Sequence, residues 1–367
     1  MSDGREAAND ERALERAVPS TVFRAALQRR NDARAPTWLM RQAGRYHGHY
    51  RALREQHSFI DLCKWPELAT EVTLGPIESF DFDAAILFSD LLFPLEVLGM
   101  PLSYEPGPTL GWHLATLADV GKLDSQPNAR RLAFQGEALR LIRARLPLSK
   151  GLIGFVGGPL TLFFYAAEGS HQGALRNARE GLADGRYRAF CEKLIPLLAE
   201  NMAQQWRAGI DCLAVLDTCA GEIDSKQFGQ YVVPQLRDLL AGFRRLCPDA
   251  RVLYYSKGTT AEYWRQLREL PSHSSIQGLG IDWCSPIATA LEEFGDQWAV
   301  QGNFDPHALL LPEPDFLQAL RAFLAPVHAL PASSRRGWIC GLGHGVLPST
   351  PEAHVRLFVD IQRETFA

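Results

Sequence analysis

The feature that most constrains this chain is a repeated alternation. Short apolar runs rich in β-branched and aromatic residues (37-TWLM, 84-AAILF, 152-LIGFV, 212-CLAVL, 252-VLYY, 278-GLGID, 298-WAVQG, 337-GWIC) are separated by longer segments with helical spacing. The clearest helical segment is 186–208, where Tyr187, Phe190, Leu194, Leu197, Leu198, Met202 and Trp206 keep a step of three to four residues. Others lie near 65–79, 128–146, 226–246, 260–270, 285–294, 313–327 and 351–366. Strands that alternate with helices pair in parallel through crossover helices. Eight repeats predict a closed (β/α)8 TIM barrel, an α/β fold in a single domain, over a doubly wound open sheet. The absence of GxGxxG or GxxxxGK[ST] after the first run also weighs against the open sheet.

Length fits one large barrel: 367 residues, 46% of them hydrophobic, supply a sizeable core. Residues 1–20 are polar and charged without an apolar stretch, so they read as a flexible tail and not a signal peptide, and the barrel is expected over 21–367. No apolar run approaches the ~18 residues of a membrane span. A net charge of −4 leaves no basic footprint for nucleic acid, so any anion site must be local. Seven scattered cysteines with no CxxC pair indicate neither a disulfide framework nor a zinc finger, and fit a reducing cytosol.

In a barrel of this kind the residues just after each strand face the catalytic mouth, and those just before it serve stability. In 81-DFDAAILFSD-90 this rule separates Asp81 and Asp83, which precede the strand, from Asp90, which follows it. It also places Arg41 and Arg45 of 36-PTWLMRQAGRYHGHYRALR-54 on a loop after the first strand. There both guanidinium groups suit an anionic ligand better than the solvated helix face their four-residue spacing would otherwise suggest.

At other strand ends stand 154-GFVGGPLTLFFYAAEG-169, 215-VLDTCAG-221, 301-QGNFDP-306 and 341-GLGHG-345. Together with MRQAGRY and FSD, these motifs resemble the uroporphyrinogen decarboxylase family over roughly residues 20–366. The resemblance implies a cytosolic, homodimeric barrel of tetrapyrrole synthesis that removes four acetate carboxyls from uroporphyrinogen as CO₂, with no metal or organic cofactor. It makes Asp90, Arg41, Tyr165 and His344 the candidate catalytic residues, and Arg41, Arg45, Asp90, Tyr165, Thr218 and His344 the candidate substrate-binding residues.

The chemistry agrees with this pattern. Loss of CO₂ from an arylacetate needs an electron sink, which a protonated pyrrole supplies itself. The protein must then offset positive charge on the ring and grip several carboxylates, which calls for a central anion ringed by cations. Asp90 would accept the pyrrole N–H groups, and Arg41 and Arg45 would bind carboxylates. A guanidinium with a pKa above ~12 is a poor acid, which favours positioning for Arg41 and leaves the proton donor open.

The chain departs from the family pattern at His47-Gly48-His49, read as a loop over the site. It departs again at Cys219, and in a thinned loop at 104-YEPGPTLGWHL-114. A barrel-related zinc and corrinoid methyltransferase would need a His-x-Cys pair where this chain reads 254-YYSKG-258. A non-catalytic porphyrinogen-binding paralogue would be marked by loss of Asp90, Arg41 or Arg45, and all three are present.

Overall fold

The computed structural model describes residues 21–105, 107–170 and 173–367, so the N-terminal tail lies outside the described residues. Seven parallel strands follow one another around a curled sheet: β1 (Ala84–Ile86), β4 (Gly151–Gly157), β5 (Cys212–Asp217), β6 (Val252–Ser256), β7 (Gly278–Ile281), β8 (Ala299–Phe304) and β9 (Trp338–Leu342). A small antiparallel hairpin, β2 (Leu102–Ser103) and β3 (Thr109–Leu110), sits in the loop after β1. All seven barrel strands are buried along their whole length. Helices cover one face and barrel-interior side chains the other, which explains continuous apolar runs in place of a two-residue alternation.

The predicted first strand is much shorter than 37-TWLM. Only Thr37 pairs, in a parallel bridge to Cys340 of β9. Trp38 N–H donates to the Cys340 carbonyl (3.0 Å), and Cys340 N–H to that of Pro36 (2.8 Å). On the other side Asp83 N–H donates to the Thr37 carbonyl (2.9 Å), so this one residue joins β9 to the start of β1 and closes the barrel. Two local causes prevent a longer strand. Pro36 has no N–H to donate, and the Thr37 N–H is taken by the Asp83 side chain (2.8 Å). Trp38 and Leu39 are nevertheless fully buried, as a core strand requires.

The helices match the periodicity closely. Arg186–Arg207 buries Tyr187, Phe190, Leu194, Leu197, Leu198 and Met202 against the barrel, and Pro66–Phe80, Val233–Leu246, Glu313–Ala329 and Glu352–Thr365 pack similarly. The His47-Gly48-His49 segment is not a loop over the mouth. A helix starts at Gly48 and runs to Gln56, and His47 is buried. The His47 ring lies 3.0 Å from Ser79 Oγ, and His49 packs against Gly75, so both face helix Pro66–Phe80.

The entry end of β1 carries scaffold charges, as its position predicts. Asp83 is gripped by both terminal nitrogens of Arg34 (2.7 and 2.6 Å), while Asp81 pairs with Lys150 and Arg363.

Candidate active site

Asp90 stands four residues beyond β1, in the loop that leads to the short helix Phe93–Val97. Its Oδ1 accepts the Leu92 N–H (2.8 Å). The β2–β3 hairpin brings Tyr104 alongside, with its ring packed on Phe59 and Phe93 at centroid distances of 4.7 and 6.1 Å. The Tyr104 hydroxyl is buried and approaches Asp90 outside good hydrogen-bond geometry, yet near enough to act on it. Burial pushes the Asp90 pKa up. The Leu92 N–H, Tyr104 and the charge of Arg41 oppose that rise without cancelling it.

Arg41 reaches the same place from the barrel seam. Its backbone adopts φ 58, a left-handed conformation that costs a non-glycine residue about 1–2 kcal/mol. Flanking contacts enforce the turn: Val346 N–H donates to the Met40 carbonyl (2.9 Å), Gln42 Nε2 to the Ala84 carbonyl (3.2 Å), and Tyr46 OH to the Gln42 carbonyl (2.7 Å). The Arg41 side chain then lies over Gly345, where a Cβ would overlap its methylenes, so GLGHG needs glycine there for a close approach. Arg41 is solvent-exposed and forms no ion pair among the described residues. Arg45 is exposed in the same irregular loop, three residues before helix Gly48–Gln56, and its charge acts on Tyr50 of that helix. Tyr50 in turn packs on Phe88, two residues before Asp90 (5.5 Å).

Tyr165 lies on helix Pro159–Glu168, which starts directly after β4 with proline at its first position. It is half-buried, and burial raises its pKa well above the usual tyrosine range, with Cys219, Asp90 and Arg41 as charged or ionisable neighbours. Tyr165 thus lies within electrostatic reach of residues after β1 and β5 and of the arginine loop. Thr218 is half-buried immediately after β5, next to Cys219. His344 follows β9, half-buried, with its ring edge-on to Tyr255 at 6.2 Å. Tyr255 OH donates to the Gly343 carbonyl (2.7 Å), which fixes the histidine loop to the end of β6, and Tyr255 also feels the Arg41 charge.

Several supports escaped the sequence reading. Asp217, the last residue of β5, is completely buried and takes the N–H and hydroxyl of Thr161 (3.0 and 2.6 Å) and the hydroxyl of Tyr254 (3.0 Å). Thr161 Oγ1 also accepts the Cys219 N–H (3.0 Å), so this network ties the GGPLT turn to the DTC turn. Gly158 lies flat against Asp217, where a side chain would collide with the carboxyl group. The sequence carries a signal for this, because LDTCAG places its carboxylate at the strand end beside Thr218. Among the described residues no group of three or more His, Cys, Asp or Glu side chains could hold a metal, and no helix is long and apolar enough to cross a membrane.

A parallel barrel whose mouth brings together a buried aspartate, exposed arginines and hydroxyls from several strand ends has the makings of an enzyme for a polyanionic small molecule. The chain belongs to the uroporphyrinogen decarboxylase family, whose pattern matches residues 19–365. A uroporphyrinogen decarboxylase of Trichlorobacter lovleyi is 36% identical over 331 residues, covering 89% of this chain and 93% of that protein. Another, of Solibacter usitatus, is 34% identical over 354 residues, covering 95% and 99%. Among solved structures, a methyltransferase from Methanosarcina mazei superposes with a TM-score of 0.70 at 17% identity, covering 95% of this chain and 99% of that one, a likeness of fold alone. The chain is an enzyme of tetrapyrrole biosynthesis that decarboxylates uroporphyrinogen.

Proposed function

We propose that Asp90, Arg41, Arg45, Tyr165, Thr218 and His344 carry this decarboxylation at the barrel mouth, on all four acetate side chains of uroporphyrinogen III, with no metal or organic cofactor. Protonation of the pyrrole carbon beside the acetate-bearing carbon gives a cationic ring. The C–COO⁻ bond breaks, CO₂ leaves, and its electron pair forms an exocyclic methylene that neutralises the ring. A second proton converts the methylene to methyl, and loss of the added ring proton restores the pyrrole. Each acetate therefore consumes one proton net, and coproporphyrinogen III results after four rounds.

The observation that carries this reading is that the buried Asp90 lies within electrostatic reach of the exposed Arg41, unpaired among the described residues. Asp90 keeps acceptor capacity beyond the single Leu92 N–H, which suits pyrrole N–H donors and a developing cation. In this reading Arg41 and Arg45 bind carboxylates bidentately, at about 1.5–3 kcal/mol for each charge-assisted hydrogen bond, which their exposure in one loop supports. Tyr165 and Thr218 add hydroxyl donors, and His344 a carboxylate contact or proton relay. Residues 21–367 form the working domain, which acts as a cytosolic homodimer, in line with the family resemblance. The test is anaerobic incubation of purified protein with uroporphyrinogen. Stepwise appearance of seven- to four-carboxylate porphyrinogens is expected, and absence of any product would overturn the assignment.

A further inference from the structure

Lys257 lies one residue beyond β6, at the same end of the barrel as Asp90 and Arg41. Its backbone is fixed from both sides. Its carbonyl accepts the Gly221 N–H from the loop after β5 (2.9 Å), and the N–H of the next residue, Gly258, donates to Asp282 Oδ2 after β7 (2.6 Å). Gly221 and Gly258 abut so closely that a Cβ on Gly221 would fall 2.5 Å from the Gly258 carbonyl oxygen. Such packing leaves the segment little freedom to move.

The side chain, by contrast, is uncommitted. Lys257 is half-buried and forms no ion pair among the described residues. The flanking carboxylates are engaged elsewhere: Asp282 accepts the N–H groups of Gly258 and Cys284, and Glu222 pairs with Arg179 (3.3 Å). The ammonium charge reaches Cys219 on one side and Cys284 on the other, partly offsetting the burial that pushes both thiols up. Cys219 is in turn a neighbour of Tyr165, which borders Asp90 and Arg41. A half-buried cation without a partner, on a rigid backbone across the mouth from the arginine loop, matches the chemistry of a carboxylate receptor.

We infer that Lys257 is a further substrate-binding residue, which takes a peripheral carboxylate of the tetrapyrrole on the side of the mouth opposite Arg41 and Arg45. The inference rests on the decarboxylase reading above. With cations on two sides, a wide flexible polyanion is held at separated points, and each ring in turn can be presented to Asp90. The contact serves binding and not the chemical step, so it acts on KM.

Steady-state anaerobic kinetics of wild type, Lys257→Met, Lys257→Gln and Lys257→Arg test the inference, with melting temperatures measured alongside. Both neutral variants should raise KM for uroporphyrinogen about tenfold, with kcat within about twofold and unchanged melting temperature. Lys257→Arg should recover most of the loss, and the salt dependence of KM should flatten in the neutral variants. Affinity for coproporphyrinogen, which keeps its propionates and lacks the acetates, then names the group: equal weakening for substrate and product marks a propionate, and weakening for substrate alone marks an acetate. Wild-type KM in both neutral variants, or a loss traceable to lowered melting temperature, would overturn the role of Lys257 while leaving the decarboxylase reading intact. Inactive wild-type protein would instead overturn both.

Discussion

The Arg41 side chain lies directly on the backbone of Gly345, and a Cβ at that position would sit 2.7 Å from Arg41 Cγ and 3.0 Å from its Cβ. The arginine loop and the histidine loop are therefore set against each other with no slack. Gly345→Ala should push the guanidinium out of place and lower kcat/KM by about ten- to hundredfold, the cost of losing a contact of ~1.5–3 kcal/mol. Arg41 is exposed and can shift toward water, so the melting temperature should change little. Wild-type kinetics in Gly345→Ala would show that Arg41 need not hold this position.

Charge alone should not replace the planar fork of the two arginines. Arg41→Lys and Arg45→Lys each keep the positive charge and lose bidentate geometry, so turnover should fall about ten- to hundredfold with the fold retained by circular dichroism. Near-normal rates in both would return the pair to the role of solvating surface charges.

At Asp90 charge and hydrogen bonding can be separated. Asp90→Asn keeps an acceptor oxygen but removes the counter-charge to the protonated pyrrole, and should lose nearly all activity. Asp90→Glu keeps the anion one methylene further out and should retain a fraction. The comparison fails as support for the mechanism if the amide decarboxylates as fast as wild type.

The raised Asp90 pKa sets the pH behaviour. In the proposed mechanism the anion is the working form, so kcat/KM should decline as pH falls through a value above the ordinary ~3.9 of aspartate. For folding the sign is reversed: the folded state holds this proton more tightly than the unfolded chain, so stability is greatest below the unfolded pKa and is lost as pH rises through the folded one. Asp90→Asn should therefore melt higher than wild type near neutrality, and the gap should close as pH approaches ~4. A lower melting temperature for Asp90→Asn at pH 7 would mark Asp90 as a scaffold residue.

Asp83, at the other end of the same strand, should behave in the opposite way. Asp83→Ala leaves the Thr37 N–H and the Arg34 guanidinium without their carboxylate. Since Arg34 can still reach water, about 2–3 kcal/mol of stability should be lost, below the ~3–5 kcal/mol of a fully buried pair. Denaturant titration measures the loss, and KM of the remaining folded enzyme should stay unchanged.

The sequence made the barrel legible because its strands are buried on both faces and read as unbroken apolar runs, as at 212-CLAVL and 252-VLYY. It failed at 37-TWLM, where pairing with the neighbouring backbone stops after a single bridge and the Thr37 N–H goes to the Asp83 side chain, a distinction no apolar pattern records. The rule that support precedes the strand holds for Asp81 and Asp83, which are ion-paired at the entry end of β1, whereas Asp90 lies beyond its other end. The rule also brought Arg41, Tyr165, Thr218 and His344 to one mouth. Hidden from the sequence were partnerships made only by folding: Tyr104 beside Asp90 through a hairpin, Asp217 shared between Thr161 and Tyr254, and the turn of His47 and His49 onto a neighbouring helix. These depend on residues far apart in the chain, and local spacing carries no trace of them.

Closure of the sheet through Thr37 alone ties catalytic competence to the integrity of the whole ring. The Trp38 amide that completes the bridge is three residues from Arg41, and Cys340 is five from Gly345. A breach at this joint would swing the arginine loop and the histidine loop apart together, before any helix need melt. The barrel thus contains its own fuse. A molecule damaged at its narrowest join would lose the arginine and histidine loops from the mouth in a single event, with its helices still folded.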